Sequence, residues 1–146
     1  MPVVIPTADS NPPPGFVPMT NITPAEVFCG PFFVAEAEGD RPARLGFRVQ
    51  EHHLNGAGVC HGGILSLFAD LQGYMLPQIA RSSGSAPTIT ISVDFLAPAR
   101  LGDWVEGAPE CVKATRKMIF FQSVLRVGDE AVARCNGIYK RITPAA

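Results

Sequence analysis

The chain has 146 residues, 47% of them apolar, which is room for one hydrophobic core and not for two independent domains. Lys and Arg number 12 against 13 Asp and Glu, a formal charge of −1 with no basic run, and this balance speaks against a nucleic-acid partner. Cys29, Cys60, Cys111 and Cys135 make no C-x-x-C pair and have only 3 histidines to join them, so neither a zinc cluster nor a redox motif is signalled.

Residues 1–20 hold Pro2, Pro6, Pro12, Pro13, Pro14 and Pro18, a density that blocks helix and central strand and predicts an extended arm ahead of a domain over 21–146. The first residues lack a basic segment followed by a long apolar run, and no stretch is apolar enough to span a bilayer. No membrane partner is expected, and a cytoplasmic location is the default. Thr23 suits an N-cap with Pro24 at the first helical position, predicting a short helix through Phe28 that ends near Gly30. Two strands, Phe32 to Ala37 and Ala43 to Glu51, flank the turn-forming Gly39-Asp40-Arg41-Pro42 and read as a hairpin. Leu45, Phe47 and Val49 alternate with Gly46, Arg48 and Gln50, which predicts one dry and one wet face.

Asn55-Gly56-Ala57-Gly58-Val59-Cys60-His61-Gly62-Gly63 is a glycine-rich turn feeding a helix predicted over His61 to Leu76. That helix is apolar on nearly every side and should be buried; Ser66, Asp70, Gly73 and Pro77 fall on one narrow polar stripe. A carboxylate within a buried helix costs several kcal/mol unless paired or solvated, which makes Asp70 a candidate reactive group. The first turn of a helix leaves N–H groups without intrahelical partners, so the Gly62 N–H is a candidate donor to a developing oxyanion. Pro77 should end or kink the helix before the Arg81-Ser82-Ser83-Gly84-Ser85 loop.

Thr88 to Leu96 alternates strictly, Ile89, Ile91, Val93 and Phe95 against Thr88, Thr90, Ser92 and Asp94. Trp104 to Lys113, Met118 to Val127 and Ala131 to Ile142 follow as strands joined by short turns, with Pro109 marking an edge or a bulge in the first. Together these predict an α+β domain, an antiparallel sheet of about five to six strands with one long helix on one face.

Asn55, Gly58, His61-Gly62-Gly63 and Asp70, followed by Val93-Asp94-Phe95-Leu96-Ala97-Pro98-Ala99-Arg100-Leu101-Gly102-Asp103, resemble a hotdog-fold acyl-CoA thioesterase of the phenylacetyl-CoA thioesterase-like branch. The resemblance covers roughly residues 25 to 142. It implies a sheet wrapped around the central helix, pairing of two subunits side by side, often again into tetramers, and sites at the dimer interface. It implies that Asp70 is the catalytic carboxylate, as nucleophile or as general base toward water, that the Gly62 N–H polarises the thioester carbonyl, and that Asn55 orients substrate or water. Thr88 falls where some relatives hold the hydrolytic water with a hydroxyl. His61 and Gly63 belong to the motif and are expected among the substrate-binding residues, His61 more as a shaper of the turn than as a proton carrier. Coenzyme A carries phosphates, for which Arg100, Arg116 and Lys117 are the turn cations at hand. Such a hydrolysis needs no metal or other cofactor.

Other readings stay open beside this one. A hydroxyacyl thioester dehydratase or hydratase would draw on His61 and Asp70, and a non-catalytic acyl-CoA-binding protein could use the same scaffold. A cysteine hydrolase would use Cys60 beside His52 or His53.

Overall fold

The computed structural model describes residues 10–20, 22–80 and 86–142. In chain order the elements are β1 (Val17–Pro18), α1 (Pro24–Cys29), β2 (Phe33–Ala35), β3 (Arg44–Arg48), a 3-10 turn (Glu51–His53), α2 (Gly62–Leu71), a second 3-10 turn (Gln72–Met75) and α3 (Pro77–Ala80). Then come β4 (Thr88–Phe95), β5 (Trp104–Gly107), β6 (Glu110–Ala114), β7 (Met118–Val127) and β8 (Glu130–Lys140). The residues expected as a loop at 81–85 lie outside the described segments.

The strands form one antiparallel sheet in the order β1-β2-β3-β5-β7-β8-β4, with β6 also pairing with β7. It has eight strands where about five to six were expected. Two local causes account for the difference. Val17–Pro18 of the arm pairs with the outer edge of β2, and the stretch from Trp104 is interrupted at Ala108-Pro109, so that β5 and β6 pair in turn with successive parts of β7. Proline cannot donate to a ladder, and the strand breaks where it stands.

The short first helix follows its predicted signals: Pro24 begins it, the Thr23 N–H donates to the Glu26 carboxylate at 2.6 Å, and the Gly30 N–H closes it on the Glu26 carbonyl. The central helix is shorter than predicted. It is α-helical from Gly62 to Leu71, tightens to 3-10 through Met75, and breaks at Leu76 ahead of Pro77, which opens α3. Leu65, Phe68, Ala69 and Gln72 form its buried stripe against the sheet. The other faces are not fully covered in the single chain: Ile64, Leu67 and Leu71 are half-buried, and Gly63 and Tyr74 are exposed.

On β3 the expected dry face is present, with Leu45, Phe47 and Val49 buried. The opposite face is drier than predicted, because Trp104 lies flat over Gly46 and is flanked by Phe33 and by Phe16 of the arm, the latter edge-on at 5.0 Å. Arg48 donates to the Ser10 and Asn11 carbonyls at 3.1 and 2.7 Å and so ties the arm down. Glycine is required for this packing, since a side-chain carbon at position 46 would collide with the indole. Gly46→Ala is expected to destabilise the protein by about 1–3 kcal/mol through overpacking, read as a lower denaturant midpoint with unchanged m-value.

Candidate active site

The helix start is built by its own loop. Asn55 Oδ1 accepts from the Ala57 and Val59 N–H groups at 3.0 and 3.3 Å, and Gly58, at φ +75°, donates to the Asn55 carbonyl. A positive φ there favours glycine. Cys60 N–H then donates to Ala99 O and His61 N–H to His53 O, both at 2.8 Å, which aims the chain into α2. His61 is the N-cap: its Nδ1 accepts from the Gly63 N–H at 2.8 Å. Its carbonyl accepts from Ile64 and Leu65. Among the described residues nothing accepts from the Gly62 N–H, which is one of the helix's orphan donors. The ring of Phe95 stands beside it, close enough that a side-chain carbon on Gly62 would lie 3.1 Å from Phe95 Cζ.

The far end of α2 carries Asp70. The Thr88 hydroxyl donates to Asp70 Oδ1 at 2.5 Å, so these two candidate residues meet within one chain. Strict alternation would put Thr88 with Thr90, Ser92 and Asp94 on the outer face of β4. A bulge changes this. Phe95, Val93 and Ile91 stand opposite Ala133, Cys135 and Gly137 of β8, but Thr88 stands opposite Tyr139, leaving Ile89 as the extra residue. Opposed residues of an antiparallel pair share a face, so Thr88 turns inward toward the helix.

Asn55, His61, Gly62 and Gly63 therefore cluster at the start of α2 and Asp70 with Thr88 at its end. Gly62 and Asp70 are separated by about 12 Å of helix. The exposed cations divide in the same way: Arg100 bridges Val59 next to the helix start, whereas Arg116 and Lys117 occupy the β6–β7 turn, whose Lys117 carbonyl accepts from Arg141 N–H. A groove of about 530 Å³ on the outer side of the sheet, lined among others by Arg44, Asp94, Glu106, Arg126 and Arg134, shares no residue with either cluster. Of the side chains that could bound an acyl group, Phe121 is sealed in the core, Leu67 and Met75 are half-buried, and Tyr74 and Phe95 are exposed.

Sequence reasoning missed Tyr139. Its hydroxyl donates to the Asp70 carbonyl at 2.6 Å and accepts from the Gly73 N–H at 3.1 Å. The available signal was a tyrosine at an inward position of a strand, since a buried phenol must find a partner. Nothing in the sequence says which. Burial pushes its pKa well above the usual tyrosine value, reinforced by the Asp70 charge, so it stays a neutral donor.

The two adjacent histidines anchor α1 to the 3-10 turn. His52 Nε2 contacts the Gly30 carbonyl and His53 Nε2 the Cys29 carbonyl, both at 2.7 Å. Gln50 N–H donates to His53 Nδ1, so His53 is neutral with its proton on Nε2. Cys60 is buried and meets neither ring; its thiol contacts the His61 carbonyl at 3.8 Å, and burial pushes it up to about 12. A cysteine hydrolase built on Cys60 has no base and no accessible thiolate here.

Comparison with known proteins adds four findings. A family model described as the thioesterase superfamily matches residues 57–134. A Pseudomonas aeruginosa protein named "Putative esterase" is 32% identical over 130 residues, 88% of this chain and 96% of that one. Among solved structures, a mutant form of the phenylacetic acid degradation protein PaaI of Thermus thermophilus superposes with a TM-score of 0.69 at 24% identity, covering 82% of this chain and 100% of that one. A Bacillus halodurans protein crystallised with CoA superposes with a TM-score of 0.73 at 18% identity, covering 87% and 83%. At these identities the two structures speak to the fold alone.

His53 supplies a pH test of this bracing. Desolvation, with the neighbouring His52 charge, lowers it from the ordinary 6.5 to about 4. Between those values the unfolded chain binds the extra proton, so stability falls as pH drops through 6.5 toward 4, by up to about 3 kcal/mol from this group. Thermal melts should show a lower Tm at pH 5 than at pH 7.5, with a smaller difference in His53→Gln. An equal pH dependence in both proteins would remove His53 as its source.

Proposed function

The chain belongs to the thioesterase superfamily and has its hotdog fold, and from that premise we propose that it hydrolyses acyl-CoA thioesters to the free acid and CoA at sites shared between two copies of the chain. The observation that carries the reading is the Thr88 hydroxyl on Asp70 Oδ1. One carboxylate oxygen is held by that bond and the other is left to take a proton from water. Water adds to the thioester carbonyl carbon as its proton passes to Asp70. The tetrahedral oxyanion is held by an N–H donor, and the C–S bond then breaks, with the proton returning to the leaving thiolate. Gly62 N–H is that donor, an orphan group at the positive end of a helix dipole.

One helix cannot present both groups to one thioester across about 12 Å. A second copy running antiparallel about a two-fold axis brings the Gly62 end of one α2 to the Asp70 end of the other. The edge position of β4 supports this arrangement. It is the last strand of the sheet, eight residues long, and Ile89, Phe95 and the adjoining Leu96 are more than half exposed in the single chain. Such an exposed apolar edge calls for a partner. The same operation brings Arg100 of one copy to the side of Arg116 and Lys117 of the other, where the phosphates of CoA would lie. The His61-plus-Asp70 dehydratase reading is weaker, because the His61 ring is engaged in capping its own helix.

Release of thiol from phenylacetyl-CoA and hexanoyl-CoA is the direct test. Asp70→Asn is expected to keep the fold and lose at least about a hundredfold in kcat, since the amide is nearly isosteric yet cannot accept the proton. A wild-type rate in that variant would make Asp70 structural. The shared site has its own test in subunit exchange between Asp70→Asn and Asn55→Ala. In a mixed dimer one site carries both defects and the other neither, so random exchange should restore roughly a quarter of wild-type sites. A site made within one chain predicts no recovery once mass spectrometry has verified the mixed dimers.

A further inference from the structure

We propose that Tyr139 is a positioning residue for this hydrolysis, setting the meeting of Asp70 with Thr88 from beneath. The inference rests on the reading above, in which that pair does the chemistry. Tyr139 is held rigidly: it is 3% exposed and its ring stacks on Phe121 with centroids 4.9 Å apart. Its hydroxyl takes over the helix's own backbone groups where α2 gives way to the 3-10 turn. In a continued α-helix the Gly73 N–H would donate to Ala69 and the Asp70 carbonyl would accept from Tyr74. Instead Gly73 donates to the phenol oxygen at 3.1 Å and the phenol donates to Asp70 O at 2.6 Å.

The break in the helix is thus stabilised by one side chain at the residue whose carboxylate is used. The other half of the pair is registered against the same side chain, because Thr88 is the cross-strand partner of Tyr139 and faces inward only through the bulge at Ile89. Gly73 belongs to the device, since a side-chain carbon there would lie 2.5 Å from Tyr139 Cζ and 2.7 Å from its hydroxyl. Buried beneath the helix backbone, Tyr139 acts on the reaction through Asp70 and Thr88.

The experiment compares wild type, Asp70→Asn, Tyr139→Phe, Thr88→Ala and the Tyr139→Phe/Thr88→Ala double variant on phenylacetyl-CoA and hexanoyl-CoA, each shown by circular dichroism to be folded at the assay temperature. Tyr139→Phe is expected to lower kcat roughly tenfold with KM changed less than about twofold, the pattern of a group acting on the reacting pair and not on substrate binding. The double variant should be no slower than Thr88→Ala alone, because both substitutions undo the same pairing. Unchanged kcat in Tyr139→Phe, or losses that multiply in the double variant, would overturn the proposal. If Tyr139→Phe does not fold, Gly73→Ala displaces the phenol from the other side and should give the same fall in kcat at constant KM; a normal kcat there overturns it equally. A wild-type rate in Asp70→Asn would overturn the catalytic reading together with this one. An inactive Asp70→Asn beside a fully active Tyr139→Phe overturns the role of Tyr139 alone.

Discussion

Phe68 of α2 meets Phe47 of β3 edge-on at 4.8 Å and lies parallel to Phe32 at 5.8 Å, and the placement of the helix on the sheet hangs on this contact. Phe32 and Phe47 in turn meet at 5.6 Å, and the His53 ring stands against Phe47 at 5.2 Å. Burying each phenylalanine is worth about 1.5–3 kcal/mol, and each aromatic pair adds about 0.5–1.5. The cluster joins α2, β3, the approach to β2 and the 3-10 turn that leads to the helix start. Both ends of α2 take their positions relative to the sheet from that single crossing. The loop 55–61 has only to deliver Gly62, and Tyr139 only to stop the helix.

Much of this was legible in the sequence. Thr23-Pro24 and Gly30 bounded α1, the alternation of Leu45, Phe47 and Val49 found the inner face of β3, and Pro109 marked the broken strand. The glycine run before Gly62 announced the helix start, because a turn at positive φ and an uncapped N–H both leave local traces. What escaped was non-local. The arm strand at Val17–Pro18 exists because β2 offers an edge, and no property of two residues could announce it. The apolar pattern predicts a helix running to Leu76; its α-helical part ends at Leu71, beside Asp70, whose carbonyl accepts from a hydroxyl 69 positions away in sequence. The inward turn of Thr88 is of the same kind. A period of two assigns it to the outer face, and a single bulged residue reverses the assignment.

The buried titratable groups are kept neutral, and they are braces. His53, Cys60, Cys135 and Tyr139 are all shifted by burial toward their uncharged forms, His53 downward and the others upward. Full charges lie elsewhere: Arg134 with Asp94 and Arg44 with Glu106 are ion pairs on the outer side of the sheet. The first of these is exposed and contributes about 0–1 kcal/mol, whereas Arg44 and Glu106 are partly buried beneath the arm side of the sheet. Asp70 stands apart as a half-buried acid on the helix that crosses the core.

The arm at β1 bears on how far the sheet can grow. An eight-stranded sheet with two long bare margins could add copies of itself at both ends and build a fibre. Here the β2 margin is covered by a strand of only two residues containing Pro18, which has no N–H to offer a newcomer. The free side of β6 is short, bulged at Val112 and flanked by the charges of Glu110 and Lys113. β4 is the one long margin left among the described strands. Growth through a single margin would close on itself after one addition, so the capped side of the molecule guards the sheet against open-ended extension.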